Sequence, residues 1–256
     1  MTPYALTAGS ARATVVPARG GIVSRFAVGG REVLFLDPAT LADETKNVRG
    51  GIPVLFPFPG KPPAGSPLKQ HGFARNSTWA VVEASPTQLL CALESSDATL
   101  AAFAFAFRIQ LTVTLTERAL RLGFDIENRS EQPMPLHFGL HPYFAVPLAE
   151  KKGARIETDA TSAFDNRTGK TGHLPPIDFG GEEVDLHLLD HSKPGTAFNA
   201  DVRLDWSPNF HTLVLWTLPN QPFICVEPWS APALTLGSRT LAPGATELFF
   251  FQVSVS

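Results

Sequence analysis

The segment Pro135-Leu136-His137-Phe138-Gly139-Leu140-His141-Pro142-Tyr143-Phe144 carries two of the chain's seven histidines in almost wholly apolar surroundings. A histidine so placed either plugs a core through hydrogen bonds or moves protons in a lined pocket, because its ordinary pKa is near ~6.5. On an extended strand His137 and His141 would face the same side. Two same-side histidines also raise metal binding, but no His-x-His or clustered Cys/His supplies a third ligand, so no metal is expected. Of the two, His137 is the better candidate for a satisfied core position. A carboxylate ends another apolar run, Phe223-Ile224-Cys225-Val226-Glu227-Pro228-Trp229. Burying Glu227 unpaired is costly. Its position therefore implies either a buried salt bridge or a carboxyl with a raised pKa, suited to general-base work.

Two further groups could line a site. Arg49-Gly50-Gly51-Ile52-Pro53 and Gln70-His71-Gly72-Phe73-Ala74-Arg75 stand in a long segment, 43–77, rich in Gly, Pro and Lys. Glycines beside Arg49 and His71 let backbone approach a ligand, and the guanidinium forks can hold hydroxyls or a phosphate. The alternative is a solvated loop whose glycines serve turns. Gly60-Lys61 is not a phosphate-binding P-loop, since Leu55 stands where that pattern needs its first glycine. A second long segment, 164–194, holds Asp185, which composition cannot separate from Asp165, Asp178 or Asp190. Long loops in compact domains are usually functional. No Ser or Cys nucleophile elbow is present. Glu227 with Asp185 could supply a glycosidase's carboxylate pair, but that leaves the histidines without a role. Trp229 is either core or an aromatic face for a sugar ring.

The elements that must position these groups are strands. From Phe103 to Leu115 every odd residue is Phe, Ile, Leu or Val, alternating with Ala, Arg, Gln and Thr. After Glu117-Arg118 the phase restarts with Leu120, Leu122, Phe124 and Ile126, so the pair reads as a long antiparallel hairpin. Shorter strand-like runs lie at 12–16, 21–28, 32–36, 79–84, 88–93, 155–158, 202–204, 212–216, 223–226 and 247–256, most of them separated by turn residues. The 23 prolines are spread throughout and leave little room for long helices, and no capped helix of ten or more residues is expected. The fold class is all-β: one large antiparallel β-sandwich domain over 1–256, with few short helices.

Composition narrows the partners. With a net charge of −3 and no basic stripe, nothing favours nucleic acid or a membrane surface. Cys91 and Cys225 are far apart and make neither a disulfide framework nor a metal knuckle. The first residues, Met1-Thr2-Pro3-Tyr4, show no basic region leading into an apolar run, so a cytoplasmic protein is expected.

Taken in order, Arg49-Gly-Gly-Ile-Pro53, His71-Gly-Phe-Ala-Arg75, Leu140-His-Pro-Tyr-Phe144 and Cys225-Val-Glu-Pro-Trp229 resemble the aldose 1-epimerases, or mutarotases. The first two motifs look most like the hexose-6-phosphate mutarotase branch, and the last two are closer to the bacterial aldose 1-epimerases. The resemblance covers about residues 20–250. It implies a galactose-mutarotase-type supersandwich and an isomerase that interconverts α and β anomers of an aldohexose or hexose 6-phosphate, without cofactor or metal. It implies Glu227 as general base and His141 as general acid. His71 would steady substrate oxygens, Asp185 hold sugar hydroxyls, and Arg49 and Arg75 contact the sugar or its phosphate. The implied partner is a small sugar or sugar phosphate, and the implied assembly a monomer or weak homodimer. Leu215-Trp216-Thr217-Leu218-Pro219 stands where the phosphate branch usually carries Asn-Pro-Trp, while Lys46, Arg49, Lys61, Lys69 and Arg75 crowd one loop in its favour. A non-catalytic carbohydrate-binding protein on the same fold is the alternative.

Overall fold

The computed structural model describes residues 2–62, 64–231 and 239–256. Alternation dictates its two large sheets. In the hairpin of Phe107–Leu115 with Ala119–Asn128, the odd residues of the first strand and the even residues of the second are buried. This hairpin sits inside a seven-stranded sheet ordered Gly195–Phe198, Val202–Trp206, Thr246–Val255, Ala119–Asn128, Phe107–Leu115, Gln88–Glu94, Ala80–Ala84. The facing sheet runs Lys170–His173, Ser162–Asp165, Val184–Leu188, Thr212–Thr217, Phe223–Trp229, Gly139–Leu140, Val54–Leu55, with Tyr143–Ala145 also paired to Phe223–Trp229. A four-stranded sheet, Tyr4–Ala8, Ala11–Val16, Ile22–Val28 and Arg31–Glu32, adds its apolar face to the same core. The pairings between these strands are antiparallel, and the fold is the expected antiparallel β-sandwich. Its α-helices, Pro38–Ala42 and Asp97–Ala102, have five and six residues. Among the described residues no helix is long and apolar enough to cross a membrane.

Several strand boundaries differ from the reading of the sequence. The strand expected from Phe103 starts at Phe107, because Ser96 and Thr99 form a reciprocal capping box that opens helix Asp97–Ala102. Capping chemistry there overrides an alternation that Phe103 and Phe105 continue in phase. The 32–36 run is a strand only at Arg31–Glu32, after which Leu34 and Leu36 make single bridges to Phe144 and Gly50. At 155–158 only Ile156 bridges, to Phe198, and the chain then turns where Thr158 Oγ1 accepts the Ala160 N–H at 3.0 Å. The segment 164–194 is not a long loop. It contributes the end of strand Ser162–Asp165, strand Lys170–His173 and strand Val184–Leu188, so Asp185 lies on a strand inside the sheet.

Candidate active site

Antiparallel partners place their side chains on one face of a sheet, with strands ~4.8 Å apart. Val214 pairs with His187 on one side and Glu227 on the other, while Phe164 pairs with His187. These four side chains form one row across the sheet. Trp216 likewise pairs with Asp185 and Cys225, and Cys225 with Tyr143, making a second row. The intervening residues Leu186, Leu213, Leu215, Ile224 and Val226 point the other way, into the main core. One sheet therefore has an apolar face that holds the fold and a polar, aromatic face that floors a cavity of about 500 Å³, a size ordinary for small-molecule sites. Cys225 alone in these rows is fully covered, packed under Tyr143 and Phe223.

The wall over this floor comes from the 43–77 segment, which supplies Asn47, Arg49, Lys61, Gln70, His71 and Arg75. Two glycines make the join. A Cβ on Gly72, whose φ is +69°, would stand 2.1 Å from the Phe56 carbonyl oxygen, and one on Gly139 would stand 2.8 Å from Trp229 Cδ1. Gly139 thus lets the apolar central segment pass directly beneath Trp229. Two residues on, the His141 N–H donates to the Pro53 carbonyl at 3.0 Å. The His141 ring lies nearly parallel to Tyr143 at 4.7 Å and edge-on to Trp216 and His71, each at 5.6 Å.

His141 Nδ1 stands 3.3 Å from Glu227 Oε1, and both side chains are buried. The distance suits an ion pair, but burial holds the histidine well below its ordinary pKa, helped by His71 and Arg75. Burial likewise pushes Glu227 well above its own, helped by Asp185 and opposed by Trp229 and Arg75. Both shifts favour the uncharged forms, a protonated carboxyl beside a neutral imidazole. A proton moved from the carboxyl to the imidazole turns the pair into a carboxylate base beside an imidazolium acid. The Trp229 indole N–H donates to Glu227 Oε2 at 3.2 Å and fixes the carboxyl's orientation.

His71 is held at both ring nitrogens: its Nδ1 accepts the Gly60 N–H at 3.0 Å, which leaves the ring hydrogen on Nε2, facing the Gln70 side-chain amide at 3.3 Å, and burial lowers its pKa to about 3. Asp185 accepts from Asn166 Nδ2 at 2.7 Å, and burial raises its carboxyl. Arg75 donates to the Gln70 carbonyl at 2.9 Å.

His141, Glu227, His71, Arg49, Arg75 and Asp185 all line this one cavity. His137 does not. It is buried beside Phe58, with ring centroids 6.0 Å apart, so the two histidines diverge where the strands of the segment break. The three other aspartates are engaged elsewhere: Asp190 accepts from Thr161 and Ser162, Asp165 pairs with Arg167, and Asp178 accepts from the Gly180 N–H. Lys46 pairs with Asp43 at 3.1 Å and does not line the cavity. Residues that reading the sequence missed include Tyr143, Trp216, Asn166 and above all His187. The alternation Val184-Asp185-Leu186-His187-Leu188 could have found the last, because it sets both polar residues on one face. Among the described residues, His141, Cys225 and Glu227 place ligand atoms within 4.8 Å of one another, donors of a type able to hold a divalent ion such as zinc.

A two-sheet β-sandwich with an acid–base pair at the bottom of a polar, aromatic-walled pocket is the frame of a small-molecule enzyme. Residues 3–248 match the family described as aldose 1-epimerase, and the chain belongs to that family. The Slr1438 protein of Synechocystis sp. PCC 6803 is 33% identical, with a TM-score of 0.91 over 100% of this chain and 96% of that one. A galactose mutarotase-like protein from Lactobacillus casei shares the fold at 21% identity, TM-score 0.76, covering 100% of both chains. A Salmonella typhimurium protein named "Putative glucose-6-phosphate 1-epimerase" is 40% identical over 76 residues, 28% of this chain and 26% of that protein.

Proposed function

We propose that the chain is a mutarotase acting on a hexose 6-phosphate. The observation that carries the acid–base half is the buried His141–Glu227 pair, 3.3 Å apart at the foot of a sugar-sized cavity. Anomer exchange needs a proton removed from one oxygen and supplied to its neighbour, with no redox change. Glu227 takes the proton from the anomeric hydroxyl, and His141 gives one to the ring oxygen as the C1–O5 bond breaks. Rotation about C1–C2 and reclosure, with the two protons returned in reverse, yield the other anomer. A positioned acid and base contribute ~10²–10⁴-fold each. His71 Nε2–H donates to a substrate oxygen, and Trp229 and Trp216 give the ring aromatic faces.

The phosphate half is supported by the wall. Arg49, Lys61 and Arg75 bring three cations to the cavity, and Arg49 and Lys61 stand exposed at its mouth. Guanidinium forks suit phosphate oxygens. The named Salmonella relative points the same way. The test is anomer exchange by NMR for glucose, galactose and glucose 6-phosphate, with wild type and Arg49→Met. Glucose 6-phosphate is expected to have the highest kcat/KM, and the substitution to lower it at least tenfold while sparing glucose. Galactose well ahead of the phosphate ester would overturn the phosphate assignment.

A further inference from the structure

His187 has no part in the proton transfers, yet it stands in the floor beside Asp185. Asp185 Oδ2 is engaged by Asn166 at 2.7 Å, whereas Oδ1 faces His187 Nε2 across 3.8 Å. That gap is too long for a hydrogen bond, but one hydroxyl oxygen at ~2.8 Å from each atom closes the triangle. The ring's hydrogen can be assigned. Among the described residues Nδ1 is buried without a partner. A hydrogen there would be an orphaned buried donor, so it belongs on Nε2, aimed at the gap. Trp229 and Phe164 meet the ring edge-on at 5.1 and 5.6 Å and fix its plane. Burial lowers its pKa to about 4, so it stays a neutral donor across the neutral range. Strand Val184–Leu188 lies two strands from Glu227, ~10 Å between backbones. The gap therefore stands across a pyranose ring from the acid–base pair.

We propose that His187 and Asp185 form a hydroxyl-reading subsite: one secondary hydroxyl, remote from the anomeric carbon, accepts from His187 Nε2–H and donates to Asp185 Oδ1. This rests on the sugar-binding reading above. It makes His187 a specificity residue that binds the ring without touching the reacting atoms.

The test is a substrate-deletion cycle read by calorimetric binding. The ligand is whichever of glucose, galactose or glucose 6-phosphate binds wild type most tightly, with its 2-, 3- and 4-deoxy analogues. Wild type is expected to lose more than roughly tenfold in affinity for one deoxy analogue, because that deletion removes both the bond from His187 and the bond to Asp185. His187→Phe is expected to lose roughly tenfold for the parent sugar and to pay a clearly smaller penalty for that same deletion, since only the Asp185 bond is then left to lose. His187→Gln, whose amide reaches the Nε2 position, recovers most of the loss, and His187→Asn, whose amide reaches only Nδ1, does not. KM should follow affinity while kcat changes less than about twofold. The proposal fails if His187→Phe binds the parent like wild type, if it keeps the full deoxy penalty, or if no sugar binds wild type at all. If sugar binds and the cycle holds but no anomer exchange is seen, the mutarotase reading falls and the subsite stands. Should the phenylalanine variant fold poorly, the Gln and Asn pair decides.

Discussion

The buried histidines tie stability to pH. His71 and His187 are 7% and 4% exposed, and burial lowers their pKa values to about 3 and about 4. In the unfolded chain both return to ~6.5. A depressed folded value means stability that is complete above ~6.5 and lost as pH falls toward the folded pKa. At about pH 5 each unfolded ring gains about 2 kcal/mol by protonation, 1.36 kcal/mol for each of about 1.5 pH units, while its folded counterpart gains almost nothing. The two shifts of the His141–Glu227 pair have opposite signs and act against each other over this range. His137 and His191 shift downward too and act with the main effect, and Asp185, raised, acts against it. Wild type should therefore lose about 4 kcal/mol between about pH 7 and about pH 5, a large share of ordinary domain stability of ~5–15 kcal/mol. Urea unfolding at both pH values reads this directly. His187→Phe should be less stable near neutrality but lose about 2 kcal/mol less on acidification. Equal acid losses for wild type and the variant would refute the reasoning.

Other outcomes follow from the same geometry. Because burial lowers His141 and raises Glu227, the pH profile of kcat/KM should have one limb displaced below the ordinary histidine value of ~6.5 and one displaced above the ordinary carboxylate range; a profile breaking at the two ordinary values would contradict this. Gly139→Ala drives a Cβ to 2.8 Å from Trp229 Cδ1, so it should cost ~1–3 kcal/mol in melting experiments and weaken sugar binding as Trp229 moves; unchanged stability and affinity would show that the approach is not needed. Prolonged chelation of the pure protein should leave anomer exchange unchanged. Loss on chelation with recovery on adding zinc would bring His141, Cys225 and Glu227 into play as ligands.

The sequence carried the sandwich well where one face is buried: the hairpin Phe107–Leu115 with Ala119–Asn128 follows its alternation residue by residue. It carried less where short strands depend on distant partners. Val184–Leu188 is held by Thr212–Thr217, and its own flanks, rich in Gly, Pro and acidic residues, look like a loop. Helix Asp97–Ala102 was hidden because its cap competes with a continuing strand phase. The six expected site residues do share one cavity, but what gathers them is cross-strand register, which no local pattern records. For the same reason composition could not select Asp185 among its neighbours, although the alternation within Val184–Leu188 does set Asp185 and His187 on one face.

The central claim is that Glu227 and His141 exchange protons with the anomeric and ring oxygens of a sugar. Exchange NMR between α and β glucose 6-phosphate, with wild type and Glu227→Gln, addresses it most directly. Glutamine keeps the shape and an oxygen for the Trp229 N–H but cannot take a proton. Wild type should exchange anomers far faster than buffer, and Glu227→Gln should lose at least ~10²-fold while still binding the sugar. A variant as fast as wild type would remove Glu227 from the chemistry. A wild type no faster than buffer that still binds the sugar would make the protein a carbohydrate binder on an epimerase fold.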